Sequence, residues 1–304
     1  MTPAQTFESP AKRKLLLVDG HAYAYRAFYA IRHMVAPDGL ATNGVFGFIK
    51  MFQRMLAFVK PTHVAVIWDG GLAAERVSLL PEYKAERPAM PADLDRQIDE
   101  MQKYLHAAGF ASAVIPGIEA DDLIATLTHM AELAGDSVVI ASADKDFMQL
   151  VSANVGLLNP GDKEQRISKV AEVVEKTGVH PHQIVEWLSL IGDSVDNIPG
   201  VAGVGHKTAT ELLQKYGTIQ GIMDNASQIT GAKRRDALLS SQQILERNRE
   251  LIQLHTELAS PITLEECLPQ PQDNSVLASL YSRWGFKTLF QELIQPPLSQ
   301  PVLL

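Results

Sequence analysis

The sequence has 304 residues, of which 46% are hydrophobic and 20% charged, with a formal charge of −8 and one cysteine, Cys267. These values exclude wholesale disorder and an internal disulfide, and they leave room for one large domain or two ordinary ones. The apolar run "LLLV" after the basic "KRK" is too short for a signal peptide and no run reaches membrane-spanning length, so a soluble protein of a reducing compartment is expected.

Residues 15–20, "LLLVDG", read as a buried strand ending in Asp-Gly. Val45, Phe48, Ile49, Phe52, Met55, Leu56 and Val59 recur at helical spacing over residues 45–60. "HVAVIWDGG" (63–71) is a second strand ending in Asp-Gly. Residues 75–91 are punctuated by proline and basic in places, and they predict an excursion from the core. Residues 93–109 predict a helix stopped by Gly109. "ASAVI" is a short strand, and "EADDLIATLTHMAELAG" a helix with Leu123, Ile124, Leu127 and Met130 on one face. "SVVIAS" (137–142) is a further strand, followed by "ADKDFMQLV". Alternating strands and helices predict an α/β fold with a mostly parallel sheet.

After about residue 179 helices dominate. Ile184, Trp187, Leu188 and Ile191 fall in register, and residues 201–217 form a glycine-rich turn leading into a helix closed by Gly217. A loop is expected over 261–275, a last helical stretch over 276–293, and a loose tail in "IQPPLSQPVLL".

The acids fall at strand exits. Asp19 ends the first strand and Asp69 the second; Glu119, Asp121 and Asp122 follow the third; Asp144 and Asp146 follow the fourth. "GDSVDN" adds Asp193 and Asp196, three apart. Each group alone has an ordinary explanation: Asp-Gly turns, an acidic helix start in "GIEADDLIA", a solvated loop, a helix end. Their coincidence at four strand exits does not, because open α/β sheets bind ligands beyond the carboxyl ends of their strands.

Two carboxylates about 4 Å apart repel by roughly 4 kcal/mol at an effective dielectric of 20. A basin of such groups either holds protons or binds divalent cations. An all-oxygen set without histidine or cysteine suits Mg²⁺ or Mn²⁺ rather than zinc, and two such ions can clamp a phosphodiester.

A net negative charge argues against a nucleic-acid partner only if it is evenly spread. "EYKAERP" (82–88) groups Tyr83, Lys84 and Arg87, with Arg76 upstream. Alone this is an exposed amphipathic helix; beside a metal basin its cations can neutralise phosphate and its tyrosine stack on a base. Gly203 and Gly205 in "GVAGVGHKTA" precede a helix start with Lys207, a setting for backbone contact with phosphate, although the spacing is not that of a Walker loop. Lys215 and "KRR" (233–235) add positive charge nearby.

Taken in order, "LLLVDGHAYAYRAFYAI", "YKAERPAMP", "IEADDLIATL", "SADKDFMQLV" and "GDSVDNIPGVAGVGHKTA" resemble the 5′-nuclease (flap endonuclease) family, in particular the N-terminal 5′-nuclease domain of bacterial DNA polymerase I, over roughly residues 13–291. The resemblance implies a PIN-like core over 12–179 with a helical arch at about 75–105, a helical H3TH (helix–hairpin–helix) part over 180–291, and a tail or linker over 292–304. It implies that Asp19, Asp69, Glu119 and Asp121 bind one metal ion and Asp144, Asp146 and Asp196 a second, while Asp122 and Asp193 shape the outer shell or a weaker third site. Lys84 would stabilise the scissile phosphate, Tyr83 meet a base, and Arg76 and Arg87 hold the 5′ strand, with Arg26 on the first helix near the basin. Gly203, Gly205 and Lys207 would grip the duplex, where a K⁺ ion is expected.

The implied activity is 5′-3′ exonuclease and flap endonuclease cleavage of DNA with 5′ flaps, nicks or gaps and of RNA primer junctions, in the bacterial cytoplasm at the nucleoid, alongside a fused or separate DNA polymerase. Trp68, Ala143 and His206 depart from the family's usual residues, and none of these removes a carboxylate or Lys84. Two other readings stay open at this point: a phosphohydrolase with an aspartate nucleophile, and a non-catalytic DNA-binding scaffold.

Overall fold

The computed structural model describes residues 12–162 and 164–295. β1 (Lys14–Asp19) and α1 (Gly20–Ala30) open the fold. Then come α2 (Asn43–Val59), β2 (His63–Trp68), α3 (Ala74–Leu79), α4 (Ala92–Ala107), β3 (Ala111–Val114), α5 (Ala120–Leu133), β4 (Ser137–Ala141), β5 (Val155–Leu158) and β6 (Ile167–Ser168). The six strands form one sheet in the order β3-β2-β1-β4-β5-β6, parallel except for β6. The parallel pairing puts the ends of β1, β2, β3 and β4 at one edge, so the residues after each are delivered together.

Both faces of the sheet are covered. Along β1, Leu15 and Leu17 enter one apolar cluster while Leu16 and Val18 enter the other. Val64, Val66 and Trp68 of β2 follow Leu16, and Ala65 and Ile67 follow Leu17. This period-two split explains the continuous apolar runs: a strand buried on both faces has no polar side. α1, α2 and α4 cover one face and α5 the other.

The remainder is largely helical. α6 (Val170–Thr177) and α7 (Ile184–Ile191) lead to a minimal hairpin of β7 (Gly192–Asp193) and β8 (Ile198–Pro199). α8 (His206–Tyr216), α9 (Ile219–Asp224), α10 (Ala232–Ser240) and α11 (Gln242–Ile252) follow, and their buried residues extend the cluster beneath α5. Asn248, fully buried, donates to the carbonyls of Ser189 and Pro199 and so pins α11 to the β7–β8 hairpin.

Three expectations change. The last helical stretch is two helices, α12 (Asn274–Trp284) and α13 (Lys287–Ile294), because Gly285 takes a φ of +75° and ends the first. These helices return to the face covered by α4: Leu277, Tyr281, Trp284 and Leu289 share its apolar cluster. Of the segment expected as an arch, about 75–105, the α4 part is core instead, since Leu94, Ile98, Met101 and Leu105 are buried in the apolar cluster. Of the expected tail, residues 292–294 belong to α13 and residues 296–304 lie outside the described residues. Among the described residues no helix is long and apolar enough to cross a membrane.

Candidate metal centre

Asp19 is the last residue of β1 and the N-cap of α1. Its Oδ1 accepts from the Ala22 N–H at 3.0 Å and its Oδ2 from the Ser142 hydroxyl at 2.8 Å. Asp69 follows β2; its backbone N–H donates to His21 Nδ1 at 3.0 Å and its Oδ1 accepts from the Gly71 N–H at 2.8 Å. The next residue must be glycine, because a Cβ at Gly70 would sit 1.8 Å from the Ile115 carbonyl oxygen. That close approach brings the β2 exit against the turn that carries Glu119.

Glu119 precedes α5 and is 2% exposed. Its Oε2 accepts from Arg76 Nη1 at 2.9 Å, Tyr83 Oη at 3.1 Å and Lys84 Nζ at 3.0 Å. Its Oε1 is buried with no partner. Asp144 and Asp146 follow β4, where the Asp146 N–H donates to Asp144 Oδ1 at 2.9 Å. Asp146 Oδ1 is a second buried oxygen without a partner. Asp146, Asp193 and Asp196 each offer a carboxylate oxygen within 4.8 Å of the others.

The titration of these groups reports one shared field. Burial raises Asp19 from its ordinary 3.8 to about 6, and the nearby Asp144 and Asp69 push the same way. Asp121 lies well above the usual carboxylate range, from burial and then from Asp144 and Asp19. Asp146 is raised well above it too, by burial and then by Asp144, Asp196 and Asp193, and Asp144 is raised by burial and by Asp196 and Asp193. Each group thus feels the next across the strand exits.

An oxygen-only set with orphaned buried acceptors fits a hard divalent cation. An unsatisfied buried acceptor costs about 1–3 kcal/mol, and a cation removes that penalty together with the mutual repulsion.

Several expected roles change. Arg76 is 2% exposed and bonded throughout, so it does not present its guanidinium to a strand. Asp122 is its partner: Arg76 Nη1 lies 2.6 Å from Asp122 Oδ2 and Nη2 lies 2.8 Å from Oδ1. With a backbone N–H from His255 also on Oδ1, both oxygens of Asp122 are taken up inside the fold, which leaves it a partner of Arg76 rather than a direct metal ligand. Tyr83, expected to meet a base, is 3% exposed with its hydroxyl on Glu119. Asp193 sits beside Asp146 and Asp196 rather than outside them, and it pairs with Lys145 at 3.0 Å.

The segment carrying Tyr83, Lys84 and Arg87 is a turn folded onto the basin, not the exposed amphipathic helix that it would suggest alone. Lys84 is 6% exposed, and its backbone N–H donates to the Asp196 carbonyl at 3.1 Å. Its φ of +56° and the φ of +57° at Asn197 are left-handed, a conformation costing a side-chain-bearing residue roughly 1–2 kcal/mol. Arg87 reaches Asp196 Oδ1 at 2.6 Å.

Arg26 is exposed on α1. Gly203, with a φ of +77°, and Gly205, the N-cap of α8, have open space where a side chain would stand, and Lys207 is exposed in the first turn of that helix.

Ser142, Lys145 and His21 are the residues missed. Ser142 Oγ bridges Asp19 Oδ2 and the Asp144 N–H, which a serine two residues before an aspartate could have suggested. The contacts of Lys145 and His21 carry no local sequence signal.

The family described as 5′-3′ exonuclease, N-terminal resolvase-like domain, matches residues 14–178, and that described as 5′-3′ exonuclease, C-terminal SAM fold, matches residues 179–275. A DNA polymerase I of Mycobacterium bovis is 37% identical over 296 residues, which are 96% of this chain and 33% of that protein. The chain thus spans about a third of that relative's length. A 5′-3′ exonuclease of Aquifex aeolicus is 33% identical over 281 residues, 92% of this chain and 95% of that protein. Among solved structures, the bacteriophage T5 D15 flap endonuclease in a pseudo-enzyme-product complex with DNA and metal ions shares the fold, with a TM-score of 0.67 at 22% identity over 92% of this chain and 98% of the other. Both halves of the chain match their family regions in order, and the chain belongs to the 5′-3′ exonuclease family.

Proposed function

We propose that the chain is a metal-dependent 5′-3′ exonuclease and structure-specific 5′-flap endonuclease that hydrolyses DNA phosphodiesters, and those of RNA primers, in replication and repair. The observation that carries this reading is the convergence of carboxylates from four parallel strand exits and the β7–β8 hairpin, with Glu119 Oε1 and Asp146 Oδ1 left without partners. Asp19, Asp69, Glu119 and Asp121 would hold one Mg²⁺ or Mn²⁺ ion, and Asp144, Asp146, Asp193 and Asp196 a second. When bound, the ions supply Lewis-acid stabilisation of the attacking and leaving oxygens of a phosphodiester.

The chain's own residues do the rest. Lys84 stands at the basin with its ammonium on Glu119, in place to neutralise a phosphate oxygen. Arg87 and the exposed Arg26 offer further contacts to the incoming strand. The open glycines Gly203 and Gly205 before α8, with Lys207, suit a duplex backbone and carry no base information. A K⁺ ion at that glycine turn is part of the same reading. We place the catalytic core at 12–179 and the helical DNA-binding part at 180–291, its last helices returning to the core. The polymerase I relative makes a polymerase, fused or separate, the natural partner.

A 5′-labelled flap duplex tests the function. Cleavage to 5′-phosphate products is expected in Mg²⁺ and not in EDTA, and Asp144→Ala abolishes it. Cleavage that survives either treatment overturns the proposal.

A further inference from the structure

We infer that Arg76 is a positioning residue for the metal centre: it fixes the Glu119 carboxylate so that Oε1 alone is left free of hydrogen-bond donors, and it locks that carboxylate to the helical part of the chain. This rests on the reading of Glu119 as a metal ligand.

Every donor of the guanidinium is used. Nε donates to the Leu251 carbonyl at 3.0 Å and Nη2 to the Gln253 carbonyl at 3.2 Å, at the C-terminal end of α11. Nη2 and Nη1 clasp the two oxygens of Asp122, and the second proton of Nη1 goes to Glu119 Oε2 at 2.9 Å. A planar fork with five donors fits this arrangement, whereas a lysine ammonium has three donors and no plane.

The consequence at Glu119 is asymmetry. Arg76, Tyr83 and Lys84 all donate to Oε2 and none to Oε1. A carboxylate with three donors on one oxygen cannot rotate without breaking them, so the orphan oxygen is held in one direction. Of the three donors, Tyr83 and Lys84 lie on the turn that folds over the basin, while Arg76 is anchored to α5 and α11. Arg76 is therefore the donor that ties the orientation of Glu119 to the helical framework. Outer-shell partners of this kind set ligand geometry and typically change metal affinity by about 10- to 100-fold.

Asp122 completes the device. It neutralises the guanidinium, so Arg76 can approach Glu119 without repelling a bound cation at full strength. A buried charged pair left without one partner is costly, which explains why both side chains are nearly inaccessible, at 2% each.

The test measures Mn²⁺ binding to the full chain by calorimetry, without DNA, for the wild type, Arg76→Lys, Arg76→Gln, Asp122→Asn and Glu119→Gln, with circular dichroism to confirm folding. Arg76→Gln is expected to weaken Mn²⁺ binding by about 10-fold or more, Arg76→Lys to recover part of the loss, and Asp122→Asn to weaken it by roughly 3- to 10-fold. Single-turnover flap cleavage by Arg76→Lys is expected to rise toward the wild-type rate as Mn²⁺ is increased, which a purely structural defect does not do. Wild-type Mn²⁺ affinity in folded Arg76 variants overturns the inference. Should those variants not fold, wild-type affinity in Asp122→Asn does so. Loss of affinity in Glu119→Gln together with no change at Arg76 sinks only the positioning role; no change in Glu119→Gln sinks the metal-ligand reading itself.

Discussion

In the absence of divalent cations, replacing Asp19 by asparagine should stabilise the protein at neutral pH and leave it unchanged near pH 4. Asparagine keeps the N-cap carbonyl for the Ala22 N–H, and the Ser142 hydroxyl can reorient to accept from its amide. What is lost is the buried charge. Asp19 has its pKa raised from 3.8 to about 6, chiefly by burial and then by Asp144 and Asp69. The folded state therefore holds its proton more tightly than the unfolded state does. The stability contributed by that proton is present below 3.8 and is lost as pH rises through about 6. A shift of this size corresponds to roughly 3 kcal/mol, or about 5–10 °C of melting temperature in a chain of this length. Melting in EDTA across pH 4–7 reads the difference between variant and wild type, which cancels other titrations. Growth of that difference with pH is expected, with Mg²⁺ then stabilising the wild type more than the variant. A difference that stays flat with pH, or equal stabilisation of both proteins by Mg²⁺, refutes the reasoning.

Two further outcomes follow from particular contacts. Lys207→Ala should lower the salt dependence of duplex binding by about one unit of slope while leaving the folded core intact, read by binding titrations at several ionic strengths. Gly70→Ala should destabilise the fold by roughly 2–4 kcal/mol, because its Cβ would lie 1.8 Å from the Ile115 carbonyl oxygen and no side chain can yield there; a thermal melt checks it.

The strands of the sheet centre were legible because burial on both faces leaves unbroken apolar runs in β1, β2 and β4. Their acidic exits were legible because a parallel sheet sends successive loops to one edge. β5 was not, since "VGLL" is short and its Gly156 weakens the strand signal. The fate of Arg76 was hidden for a different reason. Its partners Leu251 and Gln253 lie 175 and 177 residues away, and nothing local says whether an arginine beside an acidic basin meets phosphate or a buried carboxylate. The same applies to α12 and α13, whose apolar faces fit a bundle as well as the far side of the sheet, and only their packing on α4 decides.

Asp69 apart, the carboxylates of the basin fall into two groups once their cations are assigned. Glu119 has Lys84 and Arg76, Asp122 has Arg76, Asp193 has Lys145, and Asp196 has Arg87 and, at 3.9 Å, Lys84. Among the described residues no ion pair reaches Asp19, Asp121, Asp144 or Asp146, and these are the acids whose pKa values are raised. The fold thus supplies part of the positive charge itself and leaves the rest to bound ions. At the set of Asp146, Asp193 and Asp196 the two sources compete, since Lys145 Nζ lies 3.0 Å from Asp193 Oδ1. A divalent ion and a unit charge about 6 Å apart interact by roughly 1.4 kcal/mol in water-like screening, which is about tenfold in affinity. Lys145 is partly exposed and Asp193 buried, so water-like screening sets the lower limit of the effect. Lys145→Gln should therefore tighten Mn²⁺ binding about tenfold at low salt and less at high salt, measured by calorimetry on the protein alone. Unchanged binding would refute the competition, and weaker binding would mean that Lys145 serves to orient Asp193, the role inferred for Arg76 at Glu119, with the two sets of ligands built on the same principle.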